Sequence, residues 1–406
     1  MGLKGPSDAD LRRNLERTIS DLRARKEIPS DQRYSIAGMN LDGSSLLGRD
    51  DLSQNISTFA NNSMILNIDG SDTQYLATIP IGTPPQNFSV IMDSGSAVFW
   101  VGSDNCTSIK GGPCGNHTFL GQKQSSSFVN TGTQWQALYG SGNASGTVVT
   151  DNVVIAGIKV NNLTFGIANQ LSEEFTSDNN TDGLMGLARS SLTKLRIPTP
   201  VEAMAKRGLI PAAITSYRIP RRSDGVNDGE ITFGSVFTTL ITEHTSYLDS
   251  GLDESRFNHG TLVTVNSTDT GFWVAELGAV TVDGVDLRLT NRTALLDTGT
   301  TLMAASPDDV KAIHDKIPGA KQNGQGYTVP CNTTAVVALT FGGQSFPINV
   351  LELARGSATQ KTGDCGSGIG ASATAGNRWL VGDTFLKSVY YSTNGDTNQI
   401  SLATLE

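Results

Sequence analysis

Charge is scarce in this chain of 406 residues. Asp, Glu, Lys and Arg make up 17%, and 30 basic residues stand against 39 acidic ones, a net charge of −9. No basic stripe is visible, which argues against a nucleic-acid partner. No apolar run of about 18 residues or more occurs, so no membrane-spanning helix is expected. His117, His244, His259 and His314 keep no metal-ligand spacing with one another or with Cys106, Cys114, Cys331 and Cys365, and no metal or other cofactor is expected. Neither a G-x-S-x-G elbow nor a Cys–His constellation is present, which argues against a serine or cysteine nucleophile. What the chain does have is 44 Gly, 14 Pro and 37% hydrophobic residues. That is too apolar for disorder throughout and long enough to fold without disulfide staples. At roughly 150 residues per domain, two or three domains are expected.

Met1-Gly2-Leu3-Lys4-Gly5 leads into charge, not into a signal-peptide core. The expectation is an intracellular protein or one whose leader has been left out, and Leu405-Glu406 would fit a cloning remnant. Four cysteines allow three pairings. Their spacing suggests two local loops. Eleven N-x-Ser/Thr sequons occur, at Asn55, Asn61, Asn87, Asn105, Asn116, Asn143, Asn162, Asn179, Asn266, Asn291 and Asn332. Sequons with an even cysteine count favour a secretory route.

Residues 1–65 stand apart. They carry nine basic and nine acidic residues, so the rest of the chain holds the whole net charge. Leu11, Leu15, Ile19 and Leu22 recur at helical steps, and residues 38–62 are polar and turn-rich. The segment reads as a propeptide and activation linker or, more plainly, as a disordered tail. From Gln74 the pattern becomes short strands separated by Gly, Asn and Asp. Examples are Tyr75–Ile81, Phe88–Met92, Val148–Ile155, Ile231–Phe233, Thr261–Val265 and Gly271–Val282, with turns at Asp283-Gly284 and Asn394-Gly395. Helical periodicity survives only over Val201–Arg207 and Pro307–Ile317.

An internal repeat is the most informative feature. Ile91-Met-Asp93-Ser-Gly-Ser96 recurs as Leu295-Leu-Asp297-Thr-Gly-Thr300, 204 residues later. Each copy is followed by an apolar pair and a glycine, in Asp182-Gly-Leu-Met-Gly186 and Trp379-Leu-Val-Gly-Asp383. This predicts a mostly β chain with two similar lobes, the break falling near Pro220–Gly229. The lobes are expected over 66–222 and 223–406. A lone Asp-Ser/Thr-Gly is an ordinary turn. Two copies in matched lobes would bring Asp93 and Asp297 together across a pseudo-twofold. Two such carboxyls share a proton, so one serves as base and the other as acid toward a water between them. Ser94 and Thr298 are placed to bond across to the opposite loop, and Ser96 and Thr300 to the outer carboxylate oxygens. Gly95 and Gly299 permit the tight approach.

With these motifs in order over about residues 70–403, the chain resembles the pepsin-like aspartic endopeptidases, specifically the fungal secreted, polyporopepsin-like branch. Ile81-Gly-Thr-Pro-Pro-Gln86 precedes the first Asp, Trp100 follows it by seven residues, and Trp135-x-x-x-Tyr139-Gly140-x-Gly142 looks like a flap hairpin. Gly271-Phe-Trp273 with Val282-Asp-Gly284 looks like the entry to the second lobe. The resemblance implies a bilobal acid-protease fold with a central cleft and hydrolysis of internal peptide bonds at acidic pH, with no metal and no covalent intermediate. It implies Asp93 and Asp297 as catalytic and Tyr139, Gly140, Ser141 and Trp100 as flap or flap-supporting residues. Some fungal members have Asp where Ser141 stands and accept Lys before the scissile bond, an ability that Ser141 puts in doubt. Thr301, Ile91, Phe175, Leu184 and Met303 are expected to line the groove, giving a preference for hydrophobic residues around the cut.

The same resemblance implies Cys106–Cys114 and Cys331–Cys365 disulfides. It also implies a monomer acting on extended peptide or protein substrates, inhibited by its own propeptide and by statine-containing analogues. The propeptide's Arg12, Arg13, Arg17, Arg23, Arg25 and Lys26 would lie against an acidic body until acid loosens them, with the mature chain starting within 55–72. Secretion is expected, with an acidic vacuole as the alternative. Two rivals remain: an inactive peptide-binding or inhibitor homologue, which would lack an Asp or the flap Tyr, and a glycosidase, which has no reason to repeat the motif.

Overall fold

The computed structural model describes residues 62–405, except 71, 141, 179, 235–256, 325 and 356–362. The helix expected over Leu11–Leu22 and the linker up to Asn61 lie outside the described residues, as does Ser141. Within them strands dominate, and the longest α-helix is the eight-residue Pro307–His314. The other expected helix is Pro200–Lys206, at whose start the Thr199 backbone N–H donates to Glu202 Oε2 at 2.9 Å.

The main sheet has thirteen strands and runs through both halves of the sequence. Ile214–Arg218 pairs on one side with Gly229–Phe233 and on the other with Val389–Asn394. The strand Ser63–Asp69 joins two sections of that sheet. Ser63–Leu66 pairs with Gly229–Thr232, whereas Asn67–Asp69 pairs with Gln74–Leu76. Strand pairing therefore begins at Ser63, close to the boundary expected at about residue 65. At the other end Leu405 bridges to Phe257. The stretch Gly271–Val282 divides at Gly278 into Val274–Leu277, which pairs with Arg292–Leu296, and Ala279–Val282, which pairs with Val337–Phe341.

The sequence repeat becomes a structural repeat. Gln86–Asp93 runs parallel to Gly183–Gly186, with Asp93 opposite Gly186, and Phe99–Ser108 lies antiparallel on the other side of that strand. Arg292–Leu296 runs parallel to Arg378–Val381, with Leu296 opposite Val381, and Met303–Ala305 lies antiparallel beyond it. In each half the late apolar strand wedges between the strands that enter and leave the Asp loop. The glycine that ends the motif is required by this wedge. A Cβ on Gly186 would stand 2.5 Å from Val98 N, and one on Gly382 would stand 2.0 Å from Thr300 O.

Disulfides Cys106–Cys114 and Cys331–Cys365 close one local loop in each half. Among the sequon residues Asn87, Asn105, Asn116, Asn162, Asn266, Asn291 and Asn332 are exposed, and Asn143 is half-buried. Asn55, Asn61 and Asn179 lie outside the described residues.

Candidate active site

Each Asp is delivered by apolar strand residues and then turned by a glycine. The backbone N–H of Gly95 donates to Asp93 Oδ1, and that of Gly299 to Asp297 Oδ1, both at 2.8 Å. Ser96 Oγ donates to Asp93 Oδ2 at 2.5 Å, and Thr300 Oγ1 to Asp297 Oδ2 at 2.6 Å. The two loops face each other. A Cβ on Gly95 would sit 2.3 Å from the Asp297 carboxyl, and one on Gly299 would sit 2.3 Å from Asp93 Oδ1. No residue but glycine fits at either place.

Ser94 and Thr298 lock the loops by a reciprocal exchange. Ser94 N–H donates to Thr298 Oγ1 at 2.9 Å, and Thr298 N–H donates to Ser94 Oγ at 3.0 Å. Each hydroxyl then donates across to the opposite strand: Thr298 to Met92 O at 2.7 Å, and Ser94 to Leu296 O at 3.1 Å. Both side chains are buried, so these four bonds are shielded from water.

The Asp93 and Asp297 carboxyls are within hydrogen-bond reach of each other. Burial, and then the neighbouring Asp297 charge, hold Asp93 well above the usual carboxylate range, against the opposing bonds from Ser96 and Gly95. Such a pair keeps one proton where a lone surface carboxyl would lose it. The geometry therefore offers a proton donor and a proton acceptor side by side.

A hairpin of Val129–Leu138 and Asn143–Ile155 brings Tyr139 to the same place. Its turn is closed by Tyr139 N–H donating to Gly142 O at 2.7 Å. The Trp100 indole donates to the Tyr139 hydroxyl at 2.8 Å, and Phe175 meets both rings edge-on at 5.2 and 5.5 Å. Burial, and then the charge of Asp93, push the Tyr139 hydroxyl up, so it remains a neutral donor.

A cleft of about 1710 Å³ contains Asp93, Asp297 and Tyr139. Ile91, Phe175, Leu184, Gly140, Gly299 and Thr301 line it as well. Thr301 also donates to Thr73 O at 2.5 Å. Trp100 is 1% exposed and stands behind Tyr139 as a support, and one residue expected in the groove sits elsewhere. Met303 is 1% exposed and faces the core, because its strand lies directly beside Arg378–Val381. The wall includes residues that no motif marked, among them Gln74, Leu138 and Phe272. Gln74 Nε2 donates to Asp69 Oδ2 at 2.7 Å and Asp178 Oδ2 at 2.6 Å. Behind the second loop lies a buried ionic group, also unmarked: Lys387 Nζ meets Asp72 Oδ2 at 2.8 Å and Glu352 Oε2 at 2.5 Å.

Two matched strand–loop units that present paired carboxyls under a tyrosine hairpin define an aspartic peptidase. Residues 74–405 match the family model described as eukaryotic aspartyl protease, and the chain belongs to that family. It is 35% identical to the aspartic-type endopeptidase ctsD of Aspergillus fumigatus, over 84% of this chain and 68% of that protein. A probable aspartic-type endopeptidase CTSD of Arthroderma benhamiae is 31% identical, over 85% of this chain and 63% of that protein. Rhizopuspepsin-1 of Rhizopus niveus is 32% identical, over 82% and 79%. The chain thus spans about two thirds of the length of the first two relatives. The features whose loss would mark an inactive homologue, Asp93, Asp297 and Tyr139, are all present and adjacent.

Proposed function

We propose that this aspartic endopeptidase cuts internal bonds of extended peptides at acidic pH, with Asp93 and Asp297 as the catalytic pair. The observation that carries this reading is the meeting of the two carboxyls between loops cross-bonded by Ser94 and Thr298. In the singly protonated pair the carboxylate takes a proton from a water as its oxygen attacks the peptide carbonyl carbon. The carboxylic acid gives its proton to the carbonyl oxygen. The resulting gem-diol collapses when a proton reaches the amide nitrogen and the C–N bond breaks. Burial favours the shared proton on Asp93.

Tyr139 closes over the cleft and excludes water, with Trp100 holding its hydroxyl. Ile91, Phe175 and Leu184 give the groove apolar contacts and favour hydrophobic side chains beside the cut. An extended substrate is held chiefly by main-chain bonds. The same reading takes residues 1–65 as an inhibitory propeptide and the protein as a secreted or vacuolar monomeric glycoprotein. Exposed sequons and two disulfides support a secretory route.

A peptide library incubated at about pH 3.5 and pH 7, with and without a statine-containing inhibitor, tests the reading. Expected are inhibitor-sensitive cuts between apolar residues at the lower pH, and a new N-terminus within residues 55–72. Equal cleavage at both pH values that ignores the inhibitor would refute it.

A further inference from the structure

Arg189 follows the wedge strand of the first half, three residues after Gly186, and is only 9% exposed. Its guanidinium lies 4.6 Å from the centre of the Trp273 ring. One terminal nitrogen donates to Asn398 Oδ1. The other donates to Asp269 O and, at 3.2 Å, to Phe272 O, with Ser267 Oγ at 3.5 Å. Its backbone N–H donates to Gly271 O at 3.1 Å. One side chain from the first half thus gathers two segments of the second. The terminal nitrogens carry these bonds, while Nε finds no partner among the described residues. A planar guanidinium can fork to several oxygens while its face stacks on an indole, which an ammonium cannot.

These contacts sit one step from both Asp loops. Leu187 N–H donates to Asp93 O at 2.7 Å, and Ala188 N–H donates to Ser96 O at 2.8 Å. From the other side the Trp273 indole donates to Leu187 O at 3.1 Å. Trp273 O in turn accepts the N–H of Leu296, the residue before Asp297, at 2.9 Å. The backbones of the two loops are therefore joined through Leu187 and Trp273. This bridge is separate from the Ser94–Thr298 exchange, and Arg189 clamps it.

We propose that Arg189 is a positioning residue that fixes the separation of the Asp93 and Asp297 loops through Trp273 and Leu187. The inference rests on the Asp-pair reading above. Arg189→Met keeps the apolar stem on Trp273 and removes every donor. Arg189→Lys keeps a cation but loses the fork. In the activated enzyme, active sites are first counted by titration with a tight-binding statine-containing inhibitor, so that misfolded material does not enter kcat.

Per titrated site, R189M is expected to lower kcat about 10- to 100-fold. KM should move by less than about threefold, and Arg189→Lys should recover part of the loss. Trp273→Phe keeps a ring but loses the indole donor. It should lower kcat too, and the double variant should lose less than the two effects multiplied. An unchanged kcat per site, with only a lower yield or Tm, overturns the proposal, as does full additivity. Should Arg189→Met give no titratable sites, Arg189→Lys and Trp273→Phe carry the same comparison. A parallel Asp93→Asn protein separates the cases: if it still cuts at full rate, the Asp-pair reading has failed rather than the clamp.

Discussion

In each half a buried Asp flanks the wedge strand in sequence, and these two are treated differently. Asp182, just before Gly183–Gly186, accepts N–H bonds from Ser89 at 2.9 Å and Thr118 at 2.6 Å. Asp383, one glycine beyond Arg378–Val381, is fully buried, and its carboxyl oxygens accept no bond from the described residues. Burial drives its pKa well above the carboxylate range. The charge of Lys387 opposes this, and those of Asp297 and Asp72 add to it. At this place the first half uses its acid to tie down a loop, while the second keeps one whose burial favours the neutral form. Exposure also differs at the paired carboxyls themselves: Asp93 is buried and roofed by Tyr139, whereas Asp297 is half-exposed. Duplication has preserved the reacting loops while the surroundings diverged.

The strongest challenge to that equivalence is removal of one carboxyl at a time. Asp93→Asn and Asp297→Asn should each lower kcat by about 10³-fold, despite their different burial. A large gap between them, in peptide assays on folded protein, would show that one Asp works without the other. Next come the cross-bonds. Ser94→Ala and Thr298→Ala each leave one buried N–H without its acceptor and should cost about 2 kcal/mol. Urea unfolding should give similar values for both, and a clear inequality would show that one loop leans on the other.

Tyr139 stands beside Asp93, the more buried of the pair, so its variant probes asymmetry directly. Tyr139→Phe strips the acceptor from the Trp100 indole and should lower kcat/KM about tenfold. Wild-type rates would remove that bond from the account of flap closure. The smallest effect concerns pH. In the unfolded chain Asp93 and Asp383 lose their protons near the ordinary carboxylate value of about 4. In the folded chain their pKa values are raised, so the stability they contribute is complete below about pH 4 and is lost as pH rises. Tm should therefore fall as pH rises above about 4, and fall less steeply in Asp383→Asn. Parallel curves would clear Asp383 of any part in that decline.

The chemistry of the site was legible because it is local. Asp, hydroxyl, glycine and hydroxyl lie within four consecutive positions, and the repeat doubles the signal. The two longest described helices were legible for the same reason, through their spacing, whereas the four-residue helices Glu173–Thr176, Val350–Leu353 and Asp383–Leu386 are too short to show a period. Met303 misled because an apolar residue shortly after an Asp loop can face either groove or core, and only the register of its strand decides. Arg189, Lys387 and Gln74 gave no signal at all. Their partners lie 78 to 209, up to 315 and up to 107 residues away, and an isolated Arg, Lys or Gln carries no periodicity that would announce burial.

The sheet that runs through both halves bears on the order in which the chain acquires its shape. Ser216 finds Ser392, its hydrogen-bonded neighbour, only across 176 residues. At ribosomal speeds of about 5–20 residues per second, that wait lasts roughly ten to thirty seconds. During it the newly made first lobe carries an unpaired strand edge, the surface on which nascent chains aggregate.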